Sequence, residues 1–187
     1  MNIYSIPPLL SAIILFILSL MGILKAKRSS VNLLFSLICL IGCFLNTDKT
    51  NLTIVQNQST ALKISRIDHM FLVFIIPLYL HFTVLVTGYK KWMSIVKIFY
   101  VVSFLLVPLA QHPLYLKQIR NYYFGCFAIS GPLFYIFGVF STTSLFMSLY
   151  LLFKKLKESK ISVHRTRIKY ILLSFGLAAF VNHFDVI

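Results

Sequence analysis

Six apolar runs of about 16 to 27 residues, set apart by short polar and basic stretches, restrict the folding of this 187-residue chain more than any other feature. An α-helix rises 1.5 Å per residue, so Ile6 to Leu24 covers about 28 Å, close to the roughly 30 Å hydrocarbon core of a bilayer. Composition agrees with that reading. Apolar residues make up 59% of the chain and charged residues 12%, against about 45–50% and roughly 25% in soluble domains. An ordinary soluble domain, a disordered chain and a collagen are excluded.

The expected fold is therefore all-α: an integral membrane helix bundle with about six transmembrane helices in one region, residues 1–187. The helices are placed at 6–24, 31–46, 70–86, 95–110, 127–153 and 170–187. Pro7 and Pro8 fall in the first turn of the first run, where a missing N–H costs little. Asn46 to Thr60, rich in Asn, Thr and Gln, is expected to be a solvated loop. It carries two Asn-X-Ser/Thr triplets, at Asn51 and Asn57, which chance supplies often in such a composition. Gly131-Pro132 is expected to break or kink the fifth run. No cleavable signal is read at the start, since the first ten residues lack Lys and Arg.

The net charge of +14 would suggest a nucleic-acid partner in a soluble protein. Here it reports topology first, because basic residues collect at cytoplasmic helix ends. Connections one, three and five hold 13 Lys and Arg, and connections two and four hold 5. The odd connections are thus expected in the cytoplasm and the N-terminus outside. The densest basic segment, Lys154 to Tyr170, suits contact with anionic headgroups or with a cytoplasmic partner.

His81 is the most informative single residue, about 16 Å into the third run, where ionisable groups turn toward the bundle or a cavity. Pro77, one turn earlier, must leave a backbone carbonyl without its helical donor. Arg66, Asp68 and His69 cluster at the outer mouth of the same helix, and Asn182, His183 and Asp185 would reach that side from the sixth. Together, His81, Pro77, Arg66, Asp68 and His69 are the candidate ligand-binding residues. Ser141 to Ser144 circle the fifth helix, so at least one should meet a neighbour and act as packing glue. Cys39, Cys43 and Cys126 lack the spacing of a zinc set, and a Cys43–Cys126 disulfide remains open. No metal site, cofactor or catalytic set is expected: phosphate loops, nucleophile elbows and paired acids on one helix face are missing from the pattern.

Several stretches together resemble the N-terminal seven-helix membrane region of bacterial histidine kinases. They are the basic turn Ala26-Lys27-Arg28, the charged entry RIDHMF, PLYLHF with Pro77, His81 and Phe82, the aromatic segment NYYFGCFAISGPLFYIF, and the closing RTRIKYILLSFGLAAFVNHFDVI. The resemblance implies a membrane-embedded sensor in a two-component signal transduction system, multi-pass in the bacterial inner membrane. It implies that a signal is bound in the outer half and that the region works as a homodimer. It also implies continuation into a seventh helix and a cytoplasmic output domain, the chain itself being no enzyme. The expected partners are the lipid bilayer and a small-molecule or membrane signal, with no nucleic acid. The alternative reading is a transporter or channel component, or an accessory membrane subunit; a lipid-modifying enzyme would need acids or a nucleophile–base pair.

Overall fold

In a computed structural model the described residues are 3–24, 29–159 and 161–184, with side chains described through Leu177. A 3-10 turn, Ile3–Ser5, leads into α1 (Ile6–Leu24), followed by α2 (Ser30–Leu52), α3 (Gln58–Thr87) and α4 (Met93–Ala110). A two-stranded hairpin, β1 (Leu116–Tyr122) and β2 (Gly125–Ser130), precedes α5 (Phe134–Glu158) and α6 (Ser162–Phe184). Helices α1 to α5 are long and apolar enough to cross a membrane. The result is an all-α membrane bundle with one hairpin at one end. The basic residues Lys25, Lys27, Arg28 and Lys160, and Asp185 at the other extreme, lie outside the described residues. So do the side chains of Asn182 and His183.

The stretch expected as a loop over residues 46–60 is mostly helical, and the polar side chains explain why. Asn46 Nδ2 donates to Gly42 O (2.8 Å), Thr47 Oγ1 to Cys43 O (2.9 Å) and Thr50 Oγ1 to Asn46 O (2.9 Å). Each polar group folds back on a carbonyl of its own helix, so α2 continues to Leu52 rather than stopping near Asn46. Ser29 accepts from the N–H of Asn32 to cap its other end. Asn57 then caps α3, its Oδ1 accepting from the N–H groups of Ser59 (2.9 Å) and Thr60 (3.4 Å). Consequently α3 begins twelve residues before Met70 and, at 30 residues, is about 45 Å long.

The fifth apolar run does not begin as a helix. Phe127 to Ser130 are expected to open a helix but form the last four residues of β2, pairing Phe127 with Arg120 and Ala128 with Ile119. Proline disfavours the helical region for the residue before it, so Pro132 separates an apolar strand from the helix that starts at Phe134. Hydropathy alone joins the two, since both are apolar.

Helix α3 is the axis of the bundle, packed by α2, α4, α5 and the hairpin. Its Val73, Leu80 and Val84 are fully buried against Val96, Phe99, Leu106 and Leu151. Burying one such side chain is worth about 1.5–3 kcal/mol between helices in water, but lipid is as apolar as leucine. Close packing and interhelical hydrogen bonds therefore carry more of the association here. Ser19 Oγ donates to Ser36 O (2.9 Å) and ties α1 to α2 in this way. The exposed side chains of α1, among them Leu10, Ile13, Ile14 and Ile17, are the apolar surface offered to lipid.

Candidate functional site

The five candidate residues divide into two groups on α3. His69 and His81 are twelve residues apart, about 18 Å along the helix, so they do not share one pocket.

At mid-membrane depth, Pro77 frees the carbonyl of Val73, and α4 supplies the missing donor: Ser103 Oγ donates to Val73 O at 3.1 Å. Ser144 of α5 donates to the adjacent Ile76 O at 3.4 Å. Two flanking helices thus clamp the proline turn. Thr143 bonds Val139 O on its own helix, whereas Ser144 reaches α3. His81 Nδ1 lies 3.3 Å from Tyr100 Oη, its ring edge-on to Tyr100 with centroids 6.0 Å apart.

At the hairpin end, α3 meets α2, the end of α4 and β1. Arg66 Nη2 donates to Leu116 O of β1 at 3.4 Å, and Gln111 Nε2 donates to Arg66 O at 3.0 Å. The carboxyl of Asp68 is in side-chain hydrogen-bond contact with that of Asp48 on α2, and the Lys49 charge acts on the same group. Carboxylates only accept, so this contact is a hydrogen bond when one partner carries a proton. His69 Nδ1 lies 2.7 Å from Ser65 O, and a carbonyl can only accept, so the hydrogen sits on Nδ1. The rings of Tyr115 and Phe134 stand edge-on to His69 at 5.7 and 5.8 Å.

This second group is incompletely satisfied. Among the described residues, Arg66 Nε, Asp68 Oδ1, Ser65 Oγ and Tyr115 Oη are buried without a partner. Burial pushes the Tyr115 hydroxyl well above the ordinary tyrosine range. A low-dielectric setting makes unpaired polar groups costly, which favours any arrangement or ligand that pairs them.

Sequence reasoning missed Asp48, Gln111 and Tyr115. Asp48 was assigned to a loop. Extending α2 to Leu52 would have put Asp48 in its last turns, at the same end of the bundle as Asp68. The three cysteines are free thiols. Cys126 Sγ lies 3.2 Å from Val55 O and 3.3 Å from Asn121 Oδ1, and no Cys43–Cys126 disulfide forms. Among the described residues no group of three or more His, Cys, Asp or Glu could hold a metal.

The opposite end of the bundle is held by other means. Tyr89, between α3 and α4, donates to Glu158 Oε2 of α5 at 2.6 Å, with Lys154 and Lys155 over its ring at 5.3 and 5.7 Å. Burial first, then the Glu158 contact, pushes the Tyr89 hydroxyl up to about 12.

Comparison with curated proteins and with solved structures gives no match. One family model, the N-terminal 7TM region of histidine kinase, matches residues 7–187. That span takes in the proline clamp, the hairpin and the polar junction alike, and the chain belongs to the family of N-terminal 7TM regions of histidine kinases.

Proposed function

We propose that this membrane region receives a signal at the hairpin end of α3 and passes it along that helix to a cytoplasmic histidine kinase module, in the inner membrane of a bacterium. Arg66, Asp68 and His69, joined by Asp48 and Tyr115, form the receiving site. Pro77 and His81 form the membrane-depth portion, where a clamped turn lets α3 take two arrangements against α4 and α5. The observation that carries this reading is the set of buried, unpartnered polar atoms on Arg66, Asp68 and Tyr115 at one junction of helices and hairpin. A signal that pairs them in one arrangement and not in the other has the differential affinity a switch requires. The excess of Lys and Arg in the odd connections supports an outward-facing junction.

The transport alternative draws nothing from Ser103 and Ser144, which are spent on carbonyls of α3, and among the described residues rests on the unpartnered hydroxyls of Thr83 and Ser148 alone.

The test is made on the full-length kinase in native membrane vesicles, reading autophosphorylation while external pH, salt and osmolality are varied. Arg66→Gln is expected to insert normally and to flatten the response to the effective stimulus. A wild-type response in Arg66→Gln and in Asp68→Asn alike would sink the assignment. Labelling of Ser159→Cys, rather than Thr53→Cys, from outside intact cells would invert the topology.

A further inference from the structure

The hairpin has two unlike faces. Inward, Ile119, Cys126 and Ala128 pack on Ala61, Leu62, Leu52 and Val55 of α2, α3 and their turn. At the tip, Gly125 (φ 149°) lies so close to that turn that a Cβ there would stand 3.0 Å from Leu52 O and from Thr53 Cα. The hairpin is thereby seated on the bundle and fixed in orientation.

Outward and at its tip, the hairpin carries a cluster of aromatic rings. Tyr122 stacks on Phe124 (5.2 Å, 11°), Phe127 stands edge-on to both, and Tyr123 stands edge-on to Phe124 at 4.8 Å. These rings remain open despite their mutual contacts, Tyr123 being 83% exposed and Phe127 54%. The cluster continues onto the bundle through Tyr4, whose ring meets Tyr123 at 5.7 Å and Phe124 at 6.1 Å. Tyr4 heads the helix whose exposed side is the lipid-facing surface, so the aromatic patch is the upper continuation of that surface. Lys117 and Arg120 supply the only charges on the two strands, and Arg120 lies over the Tyr122 ring at 5.5 Å.

We infer that the outer face of the hairpin lies in the headgroup region of the adjacent leaflet, with Tyr4, Tyr122, Tyr123 and Phe127 as interfacial anchors and Lys117 and Arg120 on anionic headgroups. Tyrosine suits that depth because its ring is apolar and its hydroxyl is not, and long basic side chains reach from it into the phosphate layer. A second copy of the chain fits less well. Face-to-face hairpins would oppose Lys117 and Arg120 to themselves without an acid between them, whereas anionic lipid complements both. A hairpin anchored in this way couples the leaflet to Arg66, since the Leu116 carbonyl that Arg66 contacts begins β1.

The test uses the whole chain reconstituted in vesicles of equal parts phosphatidylcholine and phosphatidylglycerol. Trp92 is the single tryptophan, so Trp92→Phe with Tyr123→Trp places one reporter at the tip. Trp92→Phe with Phe127→Trp gives a second reporter, on the strand. Both are expected to lose more than half their emission to phospholipid brominated near the headgroup and little to iodide present on both sides. Adding Lys117→Gln and Arg120→Gln should weaken bromolipid quenching in the anionic vesicles and leave it unchanged in pure phosphatidylcholine. Strong iodide quenching without bromolipid quenching would place the face in water and overturn the inference. Protection from both quenchers would mean that protein covers it, and would overturn the inference equally.

Discussion

Two stretches of α3, about 17 Å apart, handle polar groups differently, although Thr83 Oγ1 beyond Pro77 also lacks a partner. Around Pro77 the carbonyls of Val73 and Ile76 are filled by Ser103 and Ser144. Around Arg66 the junction keeps Arg66 Nε, Asp68 Oδ1 and Tyr115 Oη unfilled. Both regions are buried enough for the difference to cost free energy. Polarity within a membrane segment is therefore of two kinds, one spent on completing the helix and one left available to a further partner. The mid-membrane histidine drew the attention of sequence reasoning, yet it has a partner in Tyr100.

The largest expected effect falls on the base of the hairpin. A Cβ at Gly131 would run into the backbone carbonyl of Leu114, which cannot give way as a side chain could. That carbonyl also accepts from Leu133 N–H, and Gly131 N–H donates to Tyr115 O. Gly131→Ala should destabilise the bundle by on the order of 1–3 kcal/mol, read by dodecyl sulfate titration of mixed micelles. A neutral outcome would mean that the hairpin end is not rigidly built, and the contrast with the proline turn would lose its basis.

Next comes the clamp itself. Ser103→Ala leaves Val73 O unpaired and should cost about 1 kcal/mol, the range found for interhelical bonds in membranes. In a Pro77→Ala background the restored N–H can fill Val73 O, so the same change should cost about half as much or less. Equal costs in both backgrounds would show that Ser103 acts by packing rather than by completing the helix.

The smallest effect is expected at the far end. Tyr89 holds its proton up to about 12 in the folded protein, above the ordinary value of about 10 in the unfolded chain. Between those limits the folded form binds more protons, so stability from this group is complete below pH 10 and lost as pH rises through 12. Because the pair is largely exposed, the contribution should be well under about 1 kcal/mol. Tyr89→Phe should remove one late step from the tyrosinate absorbance titration, and Glu158→Gln should bring that step to lower pH. A titration unchanged by Tyr89→Phe would discount the contact.

Legibility followed locality. The core of each helix stood out because apolar length is a property of neighbouring residues, and Arg66, Asp68 and His69 were visible as charges at the mouth of one helix. The ends of α2 and α3 were misplaced because Asn46, Thr47, Thr50 and Asn57 look like loop formers. Their side chains instead bond the carbonyls and N–H groups of their own helices. The part of β2 from Phe127 reads as helix because an apolar run does not declare its backbone conformation, and the pattern leaves open whether Gly131-Pro132 breaks a helix or kinks it.

The sequence by itself determined the membrane class and the all-α bundle, since hydropathy over a helix of known rise requires no knowledge of neighbours. Only the tertiary structure decided that Ser103 completes the proline turn, that Asp48 faces Asp68, that Cys43 and Cys126 stay apart, and that a hairpin presents its aromatic rings beside Tyr4. Each of those facts joins residues far apart in the chain. Which donor reaches which orphaned carbonyl is settled by how helices pack, and the one-dimensional pattern holds no record of that.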